Sequence, residues 1–246
     1  MGTITFNGVS SSTIPGLIIE HPPAYRIPGR KYTFTHIPGR NGDFISGDIS
    51  FENVQKSYEI ALIAPTGTTI TEYANKLANW LYSVDGYARL TDSYDSSVYM
   101  LATYKNSVDL SNLFTRAGQA MLEFECKPQR FLISGETPVT ISTSHTLMTN
   151  LYNFTALPKI KVLGSGSGTV SIENGIQSTT VSISDIGTGL YIDCDLQEAY
   201  TLTTPYESKN SVISCDEFPA LKPGANYINF TGGVTSVEVT PNWWTL

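Results

Sequence analysis

The chain is poor in cysteine, charge and histidine, and it has no long apolar run. Three cysteines, Cys126, Cys194 and Cys215, stand among 246 residues with no CxxC pair. That excludes a disulfide-stapled scaffold and points to free thiols in a reducing compartment. Charged residues make up 15%, against roughly 25% in ordinary soluble domains. The net charge is −7 with no basic cluster, which argues against a protein that grips DNA or RNA by its phosphates. No stretch approaches the roughly 18 apolar residues of a membrane-spanning helix. Met1–Ser12 is polar and lacks a basic n-region, so no signal peptide is expected and synthesis in the cytoplasm is. His21, His36 and His145 are scattered, and neither HExxH nor GxSxG occurs. No catalytic centre, metal site or cofactor is therefore expected.

What is abundant is Gly, Ser, Thr, Asn and Tyr, the vocabulary of short strands and turns. The tetrapeptide Ile-Pro-Gly-Arg occurs twice, at 27–30 and 37–40. Proline presets φ and glycine accepts the positive φ of a type II turn, so both copies read as turns bracketing a strand over KYTFTH. Asn41-Gly42 marks a further turn before Phe44, Ile45, Ile49 and Phe51. One helix is expected at about 70–84. Thr69 and Glu72 have capping-box spacing, and Gly86 is placed as a stop. Ile70, Tyr73, Ala74, Leu77, Trp80, Leu81 and Val84 form one apolar stripe, to pack on a sheet or a neighbouring subunit. YARLTD, SVYMLATY and GQAMLEFECKP are three more strands, after which Pro128 breaks the pattern.

Residues 1–132 carry 11 basic and 12 acidic side chains, whereas residues 133–246 carry 4 and 10. This charge step places a domain boundary near residue 132. Beyond it the chain is turn-rich β throughout, with a glycine-serine turn expected at Gly164–Gly168 and a hairpin at Asn174-Gly175. So many short strands in one half argue for a β-sandwich. Asp193 and Asp195 alternate onto one strand face, read as solvated rather than as a calcium site. Trp243 and Trp244 close the chain in PNWWTL. In a strand their indoles would point to opposite faces, one into the core and one toward a sugar or another protein.

The order of IPGRNGDF, NWLYSVDGYARLTDSYD, GQAMLEFECKPQRF, ALPKIKVLGSGSGTVSIENG, LYIDCDL, FPALKPGANYINFTG and PNWWTL resembles the distal tail proteins of long-tailed, non-contractile bacteriophages infecting Gram-positive hosts. The resemblance spans nearly the whole chain. It departs in NLYNFTALP, where the family often has glycine after the asparagine, and it leaves no room for an inserted carbohydrate-binding module. It implies a mainly β protein: residues 1–132 a ring-forming N-terminal domain with one helix, residues 133–246 a galectin-like β-sandwich. It further implies a homo-hexamer at the virion tail tip, bound to the tail tube protein, the tape measure protein, the tail-associated tip protein and receptor-binding proteins. DNA would only pass through the ring channel. Candidate interface residues are Arg30, Arg40, Leu77, Trp80, Trp243 and Trp244. For Arg30 and Arg40, pairing across a subunit boundary and simple exposure to solvent are equally open. The competing reading is a stand-alone β-sandwich module that binds host cell-wall sugar.

Overall fold

The structure is a computed structural model and describes residues 2–47, 50–108, 111–114, 117–175 and 177–246. Ile49 lies outside the described residues, as does the side chain of Ile70. The chain is mainly β and forms two compact units, Met1–Arg130 with Leu246 and Phe131–Thr245.

The first unit contains β1 (Ile4–Phe6), β2 (Val9–Ser10), β3 (Leu17–Ile19), β4 (Thr33–Thr35), β5 (Phe44–Ser46), β6 (Val54–Ile63), α1 (Ile70–Leu81), β7 (Ala88–Asp92), β8 (Val98–Thr103), β9 (Ser111–Phe114) and β10 (Ala117–Leu132). The last two residues of β10 fall in the second unit. The main sheet runs β2-β1-β7-β8-β10-β6-β3, with β9 also paired to β10. Its longest antiparallel ladder joins Val54–Ile63 to Ala117–Cys126 in continuous register. Alternation in β10 sends Leu122, Phe124 and Cys126 into the core. There Phe124 meets Phe6 and Tyr104 at ring-centre distances of 5.1 and 5.2 Å.

Helix α1 begins as its sequence dictates. Thr69 Oγ1 accepts from the Glu72 N–H, and the Glu72 carboxylate accepts from the Thr69 N–H. Thr69→Ala should lower stability by about 1 kcal/mol, seen as a shifted urea midpoint at unchanged slope. The helix stops at Leu81, three residues before the expected end. Tyr82 leaves helical geometry at φ −98 and ψ 24, and its hydroxyl donates to the Asn106 carbonyl. Tyr73, Leu77, Trp80 and Leu81 are all buried in the unit's core.

The repeated tetrapeptide adopts two conformations. At 37–40 it is the expected turn, with Gly39 at φ +82 and the Arg40 N–H donating to the Ile37 carbonyl. At 27–30 it is extended and pairs with a neighbouring stretch, the reverse of expectation. The Lys31 N–H donates to Ser50 and the Glu52 N–H donates to Gly29, around an Arg30–Phe51 bridge. Pro28 is buried here while Pro38 is exposed. Ladder bonds and burial override the local turn preference at the first copy alone.

The second unit contains β11 (Val139–Ile141), β12 (Thr146–Asn150), β13 (Lys159–Glu173), β14 (Ser178–Ile183), β15 (Leu190–Asp193), β16 (Glu198–Thr201), β17 (Ile213–Ser214), β18 (Gly224–Thr240) and β19 (Trp244–Thr245). Strands β13 and β18 form its spine. The first half of β13 pairs with β15 and the second half with β14, while the two ends of β18 take β12 and β11. One core collects Ile160, Val162, Val170, Ile172, Val237 and Val239 from both halves.

Where a turn was expected at Gly164–Gly168, the strand continues through a bulge. Gly164 and Gly168 stand opposite Val234 and Gly232, with extra residues looped out on both strands. The insertion of Thr235 lets Val234 and Val237, three apart, both turn inward, as a bulge permits. Glycine is needed because the backbones almost touch. A Cβ on Gly233 would lie 1.7 Å from the Ser165 carbonyl oxygen.

Candidate interaction surfaces

Two of the candidate interface residues belong to the interior. Leu77 and Trp80 lie in the first unit's core, and the Trp80 indole N–H donates to the Val9 carbonyl at 3.0 Å. The amphipathic stripe therefore packs on its own sheet, and the helix offers no apolar face to a neighbour through these two side chains. Arg40 is exposed at the turn and has no ion-pair partner among the described residues. Arg30 is also exposed, with its guanidinium carbon 4.8 Å from the Phe51 ring centre and 6.0 Å from that of Tyr32. Such stacking holds the side chain in place while leaving its charge in water.

The tryptophan pair also departs from its expected arrangement. Only Trp244 begins a strand, and both indoles pack against the second unit's core. Trp244 stacks on Phe154 at 4.4 Å and donates its indole N–H to Thr155. The Trp243 carbonyl accepts from the Leu132 N–H, and Gly135 lets the Trp243 backbone lie against it. The turn in NLYNFTALP that carries Phe154 is built on buried Asn150. Its side chain donates to the carbonyls of Phe154 and Leu221 and accepts from the Tyr152 N–H.

Chemistry-bearing groups serve structure. Asp193 and Asp195 part company. Asp193 is buried, accepts from the N–H groups of Asp195 and Leu196, and pairs with Lys159 at 3.1 Å. Asp195 lies in the turn itself. The three cysteines are free, and burial pushes the Cys126 thiol up to about 12 and that of Cys194 higher still. Neither supplies a thiolate at neutral pH. Among the described residues, no group of three or more His, Cys, Asp or Glu side chains converges to hold a metal ion. Nor, among them, is any helix long and apolar enough to cross a membrane.

A surface that the sequence reading treated only as turns and a strand is the arm formed by β4 and β5. Among the described residues these two strands pair only with each other, Phe34 directly opposite Ile45 and Thr35 opposite Phe44. Phe34 is 62% exposed and Ile27 is 73% exposed, and Tyr32, Ile37, Phe44 and Ile45 are exposed as well. None of them joins the core. A two-stranded ribbon is at best marginally stable in water, and apolar side chains gathered on one short arm mark a contact surface. The clue in the sequence was DFISG, where adjacent Phe44 and Ile45 put large apolar residues on both strand faces, whereas a half-buried strand segregates them.

Comparison with known proteins agrees with this architecture. Residues 18–126 match the model of the phage tail protein RIFT-related domain. No curated protein sequence matches the chain. Among solved structures, SPP1 Dit (gp 19.1), described as a paradigm of the hub adsorption apparatus in phages infecting Gram-positive hosts, aligns over 100% of both chains. Its TM-score is 0.78 at 17% identity. Chains of the phage P2 baseplate in its activated conformation, with Ca and with Sr, give TM-scores of 0.55 and 0.54 at 10% and 9% identity. Each of these alignments covers 97% of this chain and 96% of the other. Residues 18–126 are therefore similar to the phage tail protein RIFT-related domain, on a chain that shares the fold of SPP1 Dit over its whole length.

Proposed function

We propose that this chain is a structural distal tail protein, a hub at the tail tip with no catalytic role. The observation that carries the reading is the fold shared, end to end, with a phage hub protein. In this reading six copies close into a ring that joins the tail tube to the tip, beneath the tape measure protein. The ring holds the tail-associated tip protein and receptor-binding proteins, and DNA passes through its channel. The second unit is the galectin-like domain of the family. The apolar arm of β4 and β5 supports self-association. A neighbouring copy would cover Phe34, Phe44 and Ile45, and Arg40 at the arm's turn would find a carboxylate there.

Native mass spectrometry with negative-stain imaging of the same sample tests this. The expected result is a six-fold species seen as rings, reduced to monomer by Phe34→Asp with thermal unfolding nearly unchanged, because Phe34 contributes to no core. Intact rings in Phe34→Asp would remove the arm from the interface. A strict monomer of the native chain at every concentration would remove the self-assembling ring.

A further inference from the structure

The face of the second unit turned away from its core carries an ordered row of side chains across four adjacent strands. Glu238 of β18 stands opposite Lys161 of β13, Lys161 opposite Tyr191 of β15, and Tyr191 opposite Tyr200 of β16. The neighbouring row repeats the pattern of strands with Thr240, Lys159 and Asp193. Tyr206, from the loop after β16, leans over the end of the row. Its ring centre is 5.0 Å from that of Tyr200, which is in turn 5.5 Å from Tyr191. All of these groups except Asp193 line a cleft of about 180 Å³.

Its chemistry is specific in three respects. First, the tyrosines offer rings at an outer sheet face, where solvated strands usually carry small polar residues; Tyr206 is 60% exposed. Second, both lysines are already neutralised, Lys161 by Glu238 at 2.9 Å and Lys159 by Asp193 at 3.1 Å. The cleft therefore holds no surplus cation for a phosphate or carboxylate. It does present ammonium donors, carboxylate acceptors and phenol hydroxyls side by side. Third, the volume equals the liquid share of about six waters, which suits one small ring rather than a peptide or a large cofactor. A compact molecule with an apolar ring face and a rim of hydroxyls meets all three conditions.

We infer that this tyrosine-lined cleft binds a neutral sugar, with one pyranose face on Tyr206 and Tyr191 and its hydroxyls bridging the Lys161–Glu238 pair. The inference does not depend on ring formation, since every residue of the cleft belongs to one unit of one chain. It also relocates the aromatic platform from the terminal tryptophans, which are engaged by Phe154 and the backbone, to residues that the sequence pattern did not single out.

Saturation-transfer NMR on the full chain tests it, using methyl glucoside, methyl galactoside and N-acetylglucosamine at millimolar concentration, with glycerol phosphate as the anionic comparison. Transfer to the ring protons of at least one neutral sugar is expected. Tyr206→Ala should weaken that sugar's binding roughly fivefold or more, whereas Tyr206→Phe should retain most of it. Tyr206 lies on an exposed loop, so its removal leaves the sheet intact, and an unchanged thermal transition verifies that. Absence of transfer from all three sugars would overturn the inference, as would equal binding by Tyr206→Ala. Stronger binding of glycerol phosphate than of any neutral sugar would overturn the charge argument.

Discussion

Asp92→Ala should lower the melting transition of the first unit by on the order of 10 °C and cost about 3–5 kcal/mol. Asp92 is buried at the end of β7 and is the centre of a polar cluster inside an apolar core. Its carboxylate takes Lys56 Nζ at 2.7 Å and the Tyr58 hydroxyl at 2.7 Å, and it also accepts from the N–H groups of Tyr94 and Asp95. Truncation strands all four partners, and the Lys56 ammonium, with only a fifth of its side chain exposed, loses its counter-charge. Burial by itself would raise the Asp92 pKa, but Lys56, Tyr58 and the backbone donors together hold it below the usual carboxylate value. A depressed folded pKa fixes the sign of the pH effect. The stabilisation is fully present above the unfolded carboxyl's value of about 4 and is lost as pH falls through the lower folded value. Calorimetry of the native chain and the variant at pH 7 and pH 3 is the measurement. The gap between them should narrow at pH 3, and a gap under about 1 kcal/mol at pH 7 would show the cluster to be inessential.

Gly233→Ala should act as strongly on the second unit and leave the first unit's transition in place. The added methyl group would sit 1.7 Å from the Ser165 carbonyl oxygen and 3.2 Å from that of Ser167. Both obstacles are backbone, so relief requires β13 and β18 to separate where they form the unit's spine. A cost of about 3 kcal/mol or more follows, at the upper end for overpacking. Gly166→Ala is the natural comparison. Gly166 has φ +68 but open space around it, so alanine there should cost only about 1–2 kcal/mol of backbone strain. If the two variants melted together, the crossing would not be as tight as described.

These sites show what local pattern carries and what it does not. The helix was legible because its cap and stripe lie within one short window, and Thr69, Glu72, Tyr73, Leu77 and Trp80 occupy the places their spacing requires. What that stripe packs on was not legible, since a sheet and a neighbouring subunit present the same apolar surface. Ile-Pro-Gly-Arg reads as a turn twice because proline and glycine act locally; the strand partner that straightens the first copy lies some twenty residues downstream. The run GSGSG was read as a turn for the same reason, whereas its glycines answer to Gly232 and Gly233 in a strand far along the chain. The tyrosine cleft was least accessible. Tyr191, Tyr200 and Tyr206 look like ordinary strand and loop residues until the register of four strands sets them beside Lys161 and Glu238. The tail-protein resemblance, in contrast, rested on the order of many weak motifs, and the domain match over residues 18–126 agrees with it.

The central position of β18 also bears on the order in which the protein is made. The first unit has strands β1–β10, its longest ladder among them, once β10 has been synthesised. The second unit is complete only later. Strands β11, β12 and β13 all pair with β18, which is synthesised after them and after β14–β17 as well. Until it emerges, those strands wait with open edges, and their contacts span long sequence separations that slow closure. A chain released early would therefore carry a folded first unit and an unclosed second one. Such a product keeps the apolar arm while lacking the other half, and in the proposed ring it would compete with intact copies for the same neighbours.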